Sequence, residues 1–177
     1  MKKTRLITAV LLATFGLSSS AVLAQDSTEA VDNIAVAYTE GGRSFTEDDV
    51  PTYLITEDGT VDWPTFSGFR RYHSECHVCH GPDGEGSSYA PSLKKSALEM
   101  DYYDFLEVVA SGRTKVNASE NQVMPAFGTN KNVMCFLDDM YVYLKARGTD
   151  SVPRGRPAKK VAKPDEIRET EAECMDG

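Results

Sequence analysis

The chain has 177 residues, 41% hydrophobic and 26% charged, which suits one soluble domain with extensions and excludes a membrane-embedded or disordered protein. Nineteen Lys and Arg against 27 Asp and Glu give a net charge of −8, the wrong sign for a nucleic-acid binder, which needs a basic surface to neutralise phosphates. Four cysteines are too few for a disulfide-built miniprotein, so their positions carry the information.

Lys2, Lys3 and Arg5 open the chain, and an uncharged, mostly apolar run follows over residues 6–17. Val22-Leu23-Ala24 then offers a cut site for signal peptidase. The pattern predicts an export leader, residues 1–24, cleaved after Ala24. Its apolar run is shorter than a bilayer span, and no later stretch is apolar enough to cross a membrane. The mature chain is therefore expected in an exported, oxidising compartment, where disulfides are permitted.

Residues 25–62 hold ten acidic side chains against one base, Arg43. Residues 63–148 are nearly neutral, with ten acids and nine bases. Residues 149–177 are blocked by charge: Arg154, Arg156, Lys159, Lys160 and Lys163 come first, and a run of acids from Asp165 to Asp176 follows. The reading is an acidic arm, a compact core and a charge-segregated tail. The arm can steer a partner by its charge, or it can fold back on the basic stretch; the sequence supports both.

The chemistry sits at Cys76-His77-Val78-Cys79-His80. Cys-x-x-Cys-His is the attachment signature of c-type haem. On a helix, residues three and four apart share a face. Cys76 and Cys79 can thus bond the two vinyl groups of one porphyrin edge, while His80 reaches the iron as its proximal ligand. A thioredoxin-like pair would belong in a βαβ pattern that is absent, and a zinc site lacks a second set of ligands. One motif means one haem. A glycine-rich loop, Gly81-Pro82-Asp83-Gly84-Glu85-Gly86, follows. Helical spacing of apolar residues predicts helices over 100–111, ending at Gly112, and over 132–146. Cys135 and Cys174 remain, and in an exported chain they are expected to be bonded to each other rather than free.

These features resemble the class I c-type cytochromes, which implies an all-α, monohaem fold over residues 63–148 with N- and C-terminal extensions. The resemblance places Gly68 and Tyr72 where the haem-bearing helix crosses the C-terminal helix, with Met140 and Tyr143 opposite. It also makes the Pro91 carbonyl the acceptor for the second ring nitrogen of His80. The segment Val123-Met124-Pro125-Ala126-Phe127 matches the family's Met-Pro-x-Phe loop, so Met124 is the implied sixth ligand, with Met134 and Met100 as rivals. Proline can hold such a thioether because it fixes φ and removes a donor.

The mature chain is similar, more narrowly, to the four-cysteine c-type cytochromes associated with methanol metabolism. Arg70-Arg71-Tyr72-His73-Ser74-Glu75-Cys76, Met100-Asp101-Tyr102-Tyr103-Asp104-Phe105 and Asn132-Val133-Met134-Cys135 carry the likeness. So do Tyr143-Leu144-Lys145-Ala146-Arg147-Gly148 and Val152-Pro153-Arg154-Gly155-Arg156-Pro157. This resemblance implies a periplasmic electron carrier and not an enzyme. Its donor would be a PQQ-dependent methanol or alcohol dehydrogenase, and its acceptor another cytochrome or a terminal oxidase. The rival class is a haem enzyme of peroxidase type, or a sensor, with an open iron site.

Overall fold

The computed structural model describes residues 35–116 and 121–177. The export leader and its cut site lie outside the described residues. Three short strands come first: β1 (Tyr38–Glu40), β2 (Arg43–Phe45) and β3 (Pro51–Thr52). They form one antiparallel sheet in that order, with Thr39 opposite Ser44 and Phe45 opposite Pro51.

The helical core begins at α1 (Trp63–Glu75). Asp62 caps it by accepting the Thr65 N–H at 3.0 Å, and Pro64 sits in the first turn, where no helical donor is lost. Next come the short α2 (His77–His80), a 3₁₀ turn at Pro82–Gly84 and α3 (Leu93–Glu99). Helix α4 (Tyr102–Ser111) is capped by Asp101, which accepts the Tyr103 N–H at 2.8 Å, and it ends at Gly112 as predicted. An antiparallel hairpin, β4 (Arg113–Val116) and β5 (Asn121–Met124), follows. The chain closes with α5 (Lys131–Met134), α6 (Leu137–Gly148) and α7 (Asp165–Asp176). No helix among the described residues is long and apolar enough to cross a membrane.

Two details depart from the sequence reading. The helix expected over 132–146 is broken at Cys135 and Phe136. The Phe136 N–H turns back to the Val133 carbonyl at 3.1 Å, and φ of −129° takes Phe136 out of the helix. The Arg71 guanidinium lies 3.5 Å from the centre of the Phe136 ring, holding the break against α1. The all-α expectation also omitted both small sheets, because their strands are too short to show an alternating pattern.

The core is the packing of α1 on α6. A Cβ on Gly68 would stand 1.9 Å from the Asp139 carbonyl oxygen and 2.7 Å from the Tyr143 Cβ. Only glycine allows the two backbones to come this close. Tyr72, Tyr143 and Leu144 are buried at this crossing, with the Tyr72 and Tyr143 rings 5.7 Å apart. Met140 is buried in the same cluster as Tyr72, and the atoms nearest Gly68 belong to Asp139 and Tyr143.

The described part of the acidic arm is built into the fold. Arg43 reaches the buried Asp139 at the start of α6, pinning the first sheet to the core. Burial pushes the Asp139 carboxyl up to about 6 against the pull of Arg43. Burial also opposes the Arg43 charge, yet Asp139 keeps that guanidinium above its ordinary value. Lys159 pairs with Asp58 at 2.9 Å, and Val61 exchanges backbone hydrogen bonds with Lys159 and Val161. Beneath these contacts, Val61, Phe66, Ala146 and Val152 form a second apolar cluster that joins arm, core and tail. Over residues 35–62 the arm therefore folds back, as the second of the two expectations had it.

The tail ends in α7, where Ile167 is buried beside Gly42. Cys135 and Cys174 form a disulfide across 39 residues. Chain-entropy reasoning gives such a loop about 4 kcal/mol of stabilisation.

The crossing yields a direct test. Gly68→Ala should destabilise the protein by about 3 kcal/mol, because the new methyl meets backbone that cannot swing away. Urea unfolding measures it; a loss below about 1 kcal/mol would mean that the helices separate freely.

Candidate functional site

Cys76 closes α1, and its backbone N–H donates to the Tyr72 carbonyl at 2.9 Å. Cys79 and His80 follow on α2, and the His80 N–H bonds back to the Cys76 carbonyl at 3.0 Å. One turn of backbone thus sets the two thiols and the imidazole side by side. Both thiols are free of disulfides; Cys76 is half-buried and Cys79 exposed. Burial pushes the Cys76 thiol up to about 12, and Glu75 adds to the shift. A dithiol redox centre needs the opposite, a thiol held low enough to attack as thiolate. Among the described residues no group of three His, Cys, Asp or Glu side chains is placed to hold a metal ion. The half-buried Cys76, with its thiol raised, counts against the thioredoxin-like reading.

His80 is buried, at 7% exposure, and its Nδ1 lies 2.9 Å from the Pro91 carbonyl oxygen. A carbonyl only accepts, so Nδ1 carries the proton and Nε2 keeps its lone pair for a ligand. The other two histidines are engaged along their own helical segment. His73 Nδ1 bonds the Phe69 carbonyl at 2.8 Å, and His77 Nδ1 the His73 carbonyl at 3.3 Å.

Met124 ends β5, opposite Arg113 in the hairpin register. Gly112 is required beside it: its φ is +72°, and a Cβ there would stand 2.5 Å from the Met124 carbonyl oxygen. After Pro125 the chain is tied to the end of α4, with the Phe127 N–H on the Val109 carbonyl and the Gly128 N–H on the Ala110 carbonyl, both at 3.0 Å. Met124 is half-buried against the main core cluster, as are Cys76, Leu93, Met100, Phe127 and Met134. The structure thus brings Met124 and both rival methionines to the same apolar region as the attachment motif.

Two thiols, one imidazole with a free Nε2 and thioethers within one apolar cluster make a donor set that fits a haem. The Cys-x-x-Cys-His face would supply its covalent and proximal positions.

Several contacts of this region carried no sequence signal. The Tyr72 hydroxyl donates to the Gly81 carbonyl at 2.5 Å and accepts the Gly84 N–H at 3.0 Å, so it holds the loop after His80 as well as the helix crossing. Arg147, which reads as a helix-end charge, is 2% exposed. It donates to Glu85 Oε1 at 3.0 Å, to the Asp83 carbonyl at 3.3 Å and to the Val152 carbonyl. Asp83, which reads as a turn residue, is buried among these groups. The pairings of Arg147 with Glu85 and Asp83 join residues 62 and 64 apart and leave no periodic trace.

No family model matches the chain. Sequence comparison finds cytochrome c-553I of Paracoccus denitrificans, 59% identical over 160 residues, which covers 89% of this chain and 71% of that protein. Cytochrome c-555 of Methylococcus capsulatus is 39% identical over 100 residues, covering 56% of this chain and 75% of that protein. Among solved structures, the c-type cytochrome XoxG of Methylobacterium extorquens AM1 superposes with a TM-score of 0.77 at 50% identity, covering 83% of this chain and 90% of that one. The mostly helical fold and the attachment motif define a class I cytochrome c architecture. The chain belongs to the class I c-type cytochromes, as its motifs implied, and these relatives are consistent with a tie to methanol metabolism.

The loop contacts predict a stability effect. Tyr72→Phe keeps the ring in place but removes one hydroxyl and strands the Gly84 N–H and the Gly81 carbonyl. It should cost about 2 kcal/mol in chemical denaturation. No measurable change would show that water replaces the hydroxyl.

Proposed function

We propose that the chain is a periplasmic monohaem electron carrier. It accepts electrons from a PQQ-dependent methanol or alcohol dehydrogenase and passes them to another cytochrome or a terminal oxidase. In this reading residues 1–24 are the leader, residues 25–62 the acidic arm, residues 63–148 the cytochrome domain and residues 149–177 the extension stapled to it.

One observation carries the reading: His80 has its Nδ1 committed to Pro91 at 2.9 Å, next to two free thiols on the attachment motif. Cys76 and Cys79 would hold one haem c covalently, and His80 and Met124 would be its axial ligands. The haem so held supplies reversible one-electron exchange and needs no bound substrate. The chain's residues supply the rest. Pro91 fixes the tautomer and plane of His80 and raises its basicity. The hairpin and the bonds to α4 restrain the Met124 loop. A methionine in the sixth position favours electron transfer over substrate chemistry, the point that separates a carrier from the haem-enzyme and sensor readings. The likeness to XoxG of Methylobacterium extorquens AM1 and to cytochromes c-553I and c-555 supports the choice of donor.

The ligand assignment is tested by Met124→His. The variant should keep its covalent haem, lose the weak far-red sulfur-to-iron band of the oxidised spectrum and show a lower midpoint potential. If Met134→Ala or Met100→Ala abolishes the band instead, the ligand is that residue. A wild-type protein with no such band would point to an open iron site.

The partner is tested by mixing the oxidised protein with purified PQQ-dependent dehydrogenases, each with its alcohol, and following reduction by stopped-flow absorbance. Reduction within turnover time by a methanol or alcohol dehydrogenase is expected. Failure with every such enzyme would remove the donor assignment while leaving the cytochrome class intact.

A further inference from the structure

Besides Tyr72, the loop after the attachment motif is anchored by a buried carboxylate of its own, Asp83. Asp83 has φ of 59°, a left-handed backbone uncommon outside glycine. One carboxylate oxygen accepts the Gly155 N–H at 2.9 Å and the Tyr143 hydroxyl at 3.4 Å, with His73 Nε2 at 3.6 Å. The other accepts Arg154 Nε at 3.4 Å, and the Asp83 carbonyl accepts Arg147 Nε at 3.3 Å. Burial opposes the charge on this carboxyl, yet these donors hold it below the ordinary carboxylate value. One residue therefore binds α1, α6 and the C-terminal extension to a loop that begins at His80.

The loop also closes on His80 from the other side. The Gly84 carbonyl, next to Asp83, accepts the Ser92 hydroxyl at 2.9 Å. Ser92 follows Pro91, whose carbonyl takes His80 Nδ1 at 2.9 Å. The Gly86 N–H completes the ring on the His80 carbonyl at 2.7 Å. Asp83 thus adjoins Gly84, and Ser92 ties Gly84 to the segment whose carbonyl orients the imidazole.

We propose that Asp83 is a positioning residue for His80, through which the C-terminal extension takes part in setting the plane and basicity of that ligand. The inference rests on the reading of His80 as a haem ligand. The partners that hold a ligating histidine tune its metal as well as orient it, and hydrogen bonding beyond the ligands is one of the levers on haem potential. The extension then does more than stabilise: Arg154 and Gly155 reach the redox centre through one carboxylate.

The experiment uses the full-length, haem-loaded protein. In the ferric state, the hyperfine-shifted haem-methyl resonances report the orientation of the axial imidazole, and potentiometry reports its strength as a ligand. Asp83→Ala should reorder or spread those resonances and shift the midpoint potential. Asp83→Asn keeps an oxygen for the Gly155 N–H and tolerates the left-handed backbone, so it should restore most of the methyl pattern. Ser92→Ala, which cuts the link without touching the clamp, should change the pattern in the same sense. If Asp83→Ala lowers only the unfolding temperature and leaves both the methyl pattern and the potential as in the wild type, the proposal is overturned. If Asp83→Ala yields no haem-loaded protein, Ser92→Ala decides, and an unchanged pattern there overturns it equally. His80→Ala, run alongside, must lose the wild-type pattern. Its retention would overturn the ligand reading and the proposal with it, which distinguishes that failure from a failure of the Asp83 link alone.

Discussion

The close crossing of α1 and α6 at Gly68 governs the geometry of everything else. With no side chain at that point, the two helices approach until the Asp139 carbonyl would touch an added Cβ. Tyr72 and Tyr143 are thereby buried side by side, and their hydroxyls point toward the loop that starts at His80. The C-terminal end of α1, fixed by this contact, carries Cys76 directly into α2 and the attachment motif. The crossing also buries Asp139, and a buried carboxylate must have a partner. Arg43 meets that need, and so the first sheet is drawn onto the core.

The extensions follow the same logic at longer range. A cytochrome core of this size has little apolar interior of its own. Val61 from the arm and Val152 from the tail add a second cluster around Phe66 and Ala146. The basic stretch lies across it, with Lys160 Nζ 5.0 Å from the ring centres of both Trp63 and Phe66, and Arg156 5.1 Å from Phe66. Charges that look segregated along the chain are interleaved in space: Lys159 with Asp58, Lys163 with Glu171 at 2.5 Å, Arg154 with Asp83. The exposed pair Lys159–Asp58 contributes little alone. The apolar seam beneath them and the Cys135–Cys174 disulfide also hold the tail to the core.

At the site, short-range and long-range constraints divide the work. The turn from Cys76 to His80 is local and sets the thiols and imidazole by helical geometry alone. Holding the imidazole is not local, since Pro91 arrives from eleven residues on. Its position depends on Ser92, Gly84 and Asp83, and through Asp83 on the tail. The Met124 segment is placed by a third set of contacts, the hairpin and the end of α4, independent of the other two.

The sequence by itself determined the attachment motif, the cysteine pair left over for a disulfide, the α4 helix with its Gly112 end and the family. Each of these is written in spacing along the chain, which helix geometry and thiol chemistry convert directly into structure. Tertiary structure alone decided that Arg43 partners Asp139 from 96 residues away, that the arm folds back over residues 35–62 and that the last core helix breaks at Phe136. It also decided that Asp83 and Arg147 are buried and satisfied, where the sequence shows a turn residue and a helix-end charge. Such roles depend on which distant donors and acceptors meet once the core has packed. A buried charge is chosen by its partner, and the partner's position exists only in the folded chain.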